Sequence, residues 1–319
     1  MSISTRRWRS SAAHRYKIRY RFLTGMNEDH IHGIQKRLSN PMTPEFKSFF
    51  KTVAGNEGSK CRYPTWLDLY GRGCAHDCAY CYARSLLAFR GLWHPEQPAV
   101  ANIRRVGRRL DRIAPGTILR LGGMTDCFQP VERRHRMTYR AIRMLNERRI
   151  GYLIVTKSAL VADDEYTAIY DPPLAHIQVS ITDTDDRRIR RFERASPPSQ
   201  RILAVEKLEK MGFDVAVRLS PYIPGHIDFA RLNAIRCRKL LVEFLRINSW
   251  IRRRMPIGTS EYTLSHGGYR HMPLEAKIRC LEQITGFEQV SVCEDVTEHY
   301  VYWRDHFNPN PEDCCNLKY

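Results

Sequence analysis

The sequence predicts an α/β protein built as a partial (β/α)6-type TIM barrel, preceded by a basic N-terminal extension. Three observations predict it. From about residue 64 onward, short apolar runs alternate with helical patterns, the signature of βαβ units around a parallel sheet. The chain has 319 residues, 43% of them hydrophobic, enough for one large core. Three cysteines crowd a short loop just after the first apolar run, at the end of a barrel where ligands gather.

In chain order, residues 1–60 are expected to be the extension. Met1 to Arg21 holds seven Lys/Arg and no acid, interleaved with Trp8, Tyr16 and Tyr20. Cations with stacking rings suit a strand of nucleic acid; a flexible arm or a small subdomain fits the same pattern. Residues 61–295 are expected to form the barrel. Its candidate strands are Trp66–Tyr70, Ile118–Gly122, Tyr152–Thr156, His176–Ile181, Asp214–Leu219, Leu240–Leu245 and Gln289–Cys293. Helical patterns occupy Val100–Ile113, Arg133–Arg148, Ser199–Met211 and Leu274–Ile284. In Ser199–Met211, Ile202, Val205 and Leu208 recur at helical spacing. Residues 296–319 are read as a C-terminal tail.

The formal charge is +18, from 52 Lys+Arg against 34 Asp+Glu. Such a surface favours a polyanionic partner, because phosphates release counterions when cations replace them. The arginines gather at Arg104–Arg112, Arg187–Arg194 and Arg252–Arg254. A basic solvated face is the plain alternative. No apolar run is long enough for a membrane span, and no secretory signal opens the chain. With ten cysteines and only one tight group, a disulfide scaffold is not expected and a reducing cytoplasm is.

The chemistry concentrates in Gly71-Arg-Gly-Cys74-Ala-His-Asp-Cys78-Ala-Tyr80-Cys81. Cys74, Cys78 and Cys81 are spaced C-x3-C-x2-C. Three thiolates on one loop can hold three irons of a 4Fe–4S cubane and leave the fourth open. Zinc is the competing metal, but it usually takes four ligands as two spaced pairs, and no second pair follows.

The motif C-x3-C-x-aromatic-C resembles that of the radical S-adenosylmethionine (SAM) superfamily. Further segments resemble its spore photoproduct lyase-like branch: the turn Gly122-Gly-Met-Thr-Asp-Cys-Phe-Gln-Pro-Val-Glu132, the strand end Val155-Thr-Lys157, Val179-Ser180-Ile-Thr182, Phe192-Glu-Arg194 and Ser220-Pro-Tyr-Ile-Pro-Gly225. Two positions depart from the branch: Arg194 and Cys127 stand where relatives carry proline. The pair Cys314-Cys315 has no counterpart.

The resemblance implies a barrel of the radical SAM kind. It implies SAM on the open iron, reduction by a donor such as flavodoxin or ferredoxin, and a 5′-deoxyadenosyl radical as the oxidant of the substrate. It implies that Gly122, Gly123, Met124 and Thr125 hold the methionine part of SAM, that Lys157 pairs with its carboxylate, and that Tyr80, Ser180, Thr182 and Arg218 lie nearby. Strand register alone does not tell whether Arg218 points inward. Cys127 is a candidate hydrogen donor, although a free cysteine ordinarily behaves as a small buried apolar residue. The resemblance and the charge together point to a nucleic-acid base, with DNA favoured. A damaged or modified thymine-like pyrimidine is the sharpest form, handled by a lyase, an isomerase or another base-modifying activity. A peptide or small-metabolite substrate, and a nucleic-acid-binding module with structural zinc, are the rival readings. The oligomeric state is not encoded in these signals.

Overall fold

A computed structural model describes residues 46–51 and 60–318. The basic stretch Met1–Arg21 lies outside these residues. One eight-stranded sheet organises the rest. It begins with β1 (Phe49–Lys51), antiparallel to β2 (Thr65–Leu67). From β2 onward each neighbour is parallel: β2 to the later strand Ile118–Leu121, then Gly151–Thr156, Ala175–Ser180, Asp214–Tyr222, Lys239–Phe244 and Gln289–Val292. The order follows the chain and the two edge strands do not pair, which is a partial barrel.

Between β2 and the second parallel strand the chain makes β3 (Tyr70–Gly71), the cysteine loop, helix α1 (Tyr82–Phe89), β4 (Ala99–Val100) and α2 (Ile103–Leu110). The run read as one strand over Trp66–Tyr70 is thus two. The chain bends at Leu69, and Tyr70 pairs instead with Val100. The helix read over Val100–Ile113 starts later for the same reason: β4 takes its first residue, and the Asn102 side chain caps α2 by accepting the Arg105 amide at 3.2 Å.

After β5 (Ile118–Leu121) come α3 (Glu132–His135) and α4 (Met137–Glu147). The sequence reads these as one helix. Arg136 adopts φ 51° between them, and the buried Glu132 carboxylate reaches over to accept the Thr138 and Tyr139 amides at 2.9 and 3.0 Å. The sheet then continues through β6 (Gly151–Thr156), the short α5 (Asp164–Thr167), β7 (Ala175–Ser180), α6 (Asp186–Ile189), α7 (Pro198–Lys210) and β8 (Asp214–Tyr222). It closes with α8 (Phe229–Asn233), β9 (Lys239–Phe244), α9 (Ser249–Arg254), a β10–β11 hairpin (Leu264–His266, Tyr269–His271), α10 (Leu274–Leu281), β12 (Gln289–Val292) and α11 (Thr297–His306).

Alternation sorts the strand residues. Leu119, Leu121, Tyr152, Ile154, Ile177, Val179, Val215, Val217, Leu240 and Val242 belong to the main apolar core. The opposite face is largely polar and self-paired: His176 to Asp214 at 2.6 Å, Lys239 to Asp214 at 2.6 Å, Arg218 to Gln178 at 2.6 Å and to Glu243 at 2.7 Å. The C-terminal residues fill one end of this interior. Ser291 donates to the Cys314 carbonyl, Lys239 to the Asn316 carbonyl, and the Lys318 amide to Asp214. Cys315 and Leu317 pack with Cys61, Tyr63 and Leu153. Strand β1 falls within the segment expected as an extension, and α11 with the residues after it falls within the expected tail; both are integral to the barrel.

Candidate active site

At the C-terminal ends of the parallel strands lies a cavity of about 180 Å³. The cysteine loop forms one side. Gly73 (φ 121°) and Asp77 (φ 47°) take left-handed conformations that let this loop fold back. Cys74, Cys78 and Cys81 all line the cavity as free thiols. Cys81 also caps α1, its sulfur accepting the Arg84 amide at 3.4 Å. Burial pushes all three thiols up, while the Lys157 charge pulls Cys78 and Cys81 back. A metal would supply the missing positive charge and deprotonate them. A cubane takes each thiolate on a different corner, and three soft donors lining one cavity fit it.

Two threads fix the loop from behind. The Ala79 amide donates to the Phe192 carbonyl at 2.7 Å, and the Arg194 amide to the His76 carbonyl at 2.6 Å. Glu193, between them, accepts from the Tyr80 hydroxyl and forms an ion pair with Arg201. Both side chains of that pair are fully buried. Arg201 further donates to the Ser180 carbonyl at 2.8 Å.

The opposite wall is the turn after β5. Gly122 has φ 85° and its position leaves no room for a side chain: a Cβ would sit 3.0 Å from the Val155 carbonyl. A Cβ on Gly123 would sit 2.1 Å from the Trp66 ring. The Asp68 carboxylate gathers the turn, accepting the amides of Gly123, Met124 and Thr125 at 3.0–3.1 Å and the Thr125 hydroxyl at 3.2 Å. Burial raises this carboxyl to about 6 against those donors. Asp126 ties the turn to the next strand and to the cysteine loop. It accepts the Thr156 hydroxyl and the Lys157 amide, each at 2.7 Å, and its carboxylate lies 3.2 Å from His76 Nε2.

Lys157 crosses the cavity. Its Nζ donates to the Ser220 carbonyl at 2.7 Å and lies 5.4 Å from the centre of the Tyr80 ring. Burial pushes it down to about 8, so an anion placed there would be bound strongly. Deeper in, burial would raise Glu243, but Arg218 and the Ser220 hydroxyl hold it down to about 2.

The sequence model described as the radical SAM superfamily matches residues 69–236. The chain belongs to the radical SAM superfamily. Membership implies SAM and an iron–sulfur cluster as cofactors. The fold is similar to solved structures of spore photoproduct lyase. The complex with dinucleoside spore photoproduct is 19% identical, with a TM-score of 0.51 over 72% of this chain and 76% of that one. A tyrosine-to-phenylalanine variant is 19% identical, with a TM-score of 0.54 over 78% and 80%. Sequence comparison with curated proteins gives no match.

For this radical SAM chain, the structure brings most of the expected residues together. Tyr80, Gly122, Gly123, Met124, Thr125, Lys157 and Ser180 line the same cavity as the three cysteines. Three of the expected residues do not line the cavity. Thr182 stands behind Tyr80, 3.1 Å from its hydroxyl, and supports the wall without lining it. Arg218 points into the barrel, where Gln178 and Glu243 hold it; it meets the cavity only through Glu243. Cys127 is 1% exposed in the apolar core and its carbonyl accepts the Thr138 hydroxyl at 2.5 Å. It is not among the residues that line the cavity. Asp68, Asp126, Glu193 and Arg201 were not singled out from sequence. Asp126 and Glu193 carried a signal, as parts of the family-like segments.

Proposed function

We propose that the protein is a radical SAM enzyme that modifies a base of nucleic acid, holding a 4Fe–4S cluster on Cys74, Cys78 and Cys81. The observation that carries this reading is one cavity walled by three thiols, a glycine turn with amides gathered by a buried acid, and a buried lysine. When bound, cluster and SAM would supply a 5′-deoxyadenosyl radical able to take hydrogen from unreactive carbon.

The chain's own residues have separable tasks. The cysteines hold the cluster, and Glu193 with Arg201 holds their loop. The 122–125 turn receives the methionine part of SAM, with no side chain to block it at Gly122 and Gly123. Lys157 neutralises the SAM carboxylate in a site where burial makes that charge worth more than in water. The narrow interior excludes water from the reacting carbon.

The substrate assignment rests on the charge of +18 and on the fold shared with spore photoproduct lyase, whose solved complex holds a dinucleoside photoproduct. A damaged or modified thymine-like pyrimidine is the proposed target, cleaved or rearranged by the radical. The electron donor is proposed to be a flavodoxin or ferredoxin. The test is incubation of reduced holoenzyme and SAM with DNA and RNA bearing damaged or modified thymines, followed by digestion to nucleosides. A substrate-dependent mass change at one pyrimidine is expected. Turnover of a peptide or metabolite, with every nucleoside unchanged, contradicts the assignment.

A further inference from the structure

We propose that helices α1 and α9, beside the cavity mouth, form a docking track for single-stranded nucleic acid, with Arg84, Arg194 and Arg254 gripping one backbone phosphate. The inference rests on the nucleic-acid reading above and adds where and in what form the strand binds.

The two helices pack against each other, and each reaches the cavity: Cys81, Tyr82 and Ala83 from the start of α1, and Ile251 from α9. The segment holding Arg194 is bonded to the cysteine loop through His76. Arg84, Arg194 and Arg254 are therefore carried on segments that border this side of the mouth. The charges of Arg254 and Arg194 act on the Arg84 guanidinium. Arg84 has Asp77 as its carboxylate partner and also lies 5.4 Å over the Trp93 ring. Arg254 Nε and Trp93 Nε1 are buried donors with no hydrogen-bond partner, and Trp93 lines the cavity. Like charges held this close repel each other, and unmet buried donors cost free energy. A phosphate, with its negative charge, relieves the repulsion.

The same helices carry exposed rings. Phe89 is 78% exposed and Trp250 38%, and Arg253 lies 5.3 Å over the Trp250 ring. Rings beside cations are how proteins hold single strands, bases stacking while phosphates pair. A single strand also suits a reaction inside a barrel, because a base within a duplex cannot reach an interior cavity.

Fluorescence anisotropy with a labelled single-stranded thymidine oligonucleotide tests the track over a salt series. The uncharged methylphosphonate oligonucleotide, a duplex and thymidine monophosphate serve as comparison ligands. Arg84→Gln, Arg194→Gln and Arg254→Gln are each expected to weaken strand binding about tenfold near 0.1 M salt and to lower the salt slope by about one phosphate. Arg84→Lys is expected to keep the slope. Trp250→Ala is expected to weaken binding about tenfold with the slope unchanged. Circular dichroism confirms that each variant is folded; Arg194, exposed on a loop, is the substitution least able to disturb the fold. Unchanged slopes in all three glutamine variants, or equal affinity for the methylphosphonate strand, overturn the track and leave the base-modifying reading standing. Binding of the mononucleotide as tight as that of the strand also overturns it. Failure of the unaltered protein to bind any nucleic acid overturns the parent reading instead.

Discussion

Asp68 shows how a single residue sets up the turn proposed to receive SAM. Its carboxylate accepts three successive amides, of Gly123, Met124 and Thr125. Asp68→Ala would leave those buried donors unmet, at about 1–3 kcal/mol each if no water replaces the oxygen. The expected outcome is SAM affinity lowered at least tenfold, read by calorimetric titration of the cluster-loaded protein; unchanged affinity contradicts the role. Gly123→Ala is expected to do the same by another route, since the new Cβ must displace the Trp66 ring. The glycines were legible in the sequence because a Gly-Gly after an apolar run marks a strand end. Asp68 was not. An acid inside an apolar run reads as a solvent-facing strand position, and its partners lie 55 to 57 residues further on.

At the scale of elements, the segment 192–194 explains why the cysteine loop holds its shape. Two backbone bonds from it brace the loop, one of them from the Arg194 amide to His76. A proline at this position would lack that donor. Glu193→Ala would strand the fully buried Arg201 without its partner, a loss of about 3–5 kcal/mol. Urea denaturation is expected to show that loss, and the purified variant is expected to carry less iron; full stability and iron content contradict the bracing role. The parallel strands were legible to within a few residues, because buried β-branched and leucine runs are a local signal. The break between α3 and α4 was not. It depends on Glu132 being drawn into the core by Tyr70 and Tyr166, and those contacts are long-range.

For the whole molecule, the barrel interior is a polar space sealed at one end by the chain's own C-terminal residues. Burial alone would raise Asp214; the hydrogen bonds from His176, Lys239 and the Lys318 amide hold it down to about 2, from an ordinary 3.8. A depressed carboxylate contributes stability that is present above the ordinary value and lost as pH falls through the folded one. Acid unfolding should therefore steepen between about pH 4 and pH 2, and Asp214→Asn should flatten that part of the curve. Removing residues 313–319 is expected to cost about 2–3 kcal/mol, from the lost bonds to Ser291, Lys239 and Asp214. A calorimetric midpoint unchanged by that truncation contradicts the seal. The tail's role was illegible in the sequence because backbone groups do much of the work. The Cys314 and Asn316 carbonyls and the Lys318 amide make these contacts, and no side-chain pattern announces them. The three cysteines that mark the candidate cofactor site, by contrast, were legible, because their spacing is a local pattern.

The measurement that bears most directly on the central claim is SAM cleavage by protein reconstituted with iron and sulfide in the absence of oxygen. Dithionite and SAM are added, and 5′-deoxyadenosine is quantified against a Cys78→Ala control. The account expects a brown protein that forms 5′-deoxyadenosine and a variant that does not. A colourless protein that retains zinc and leaves SAM intact would contradict it.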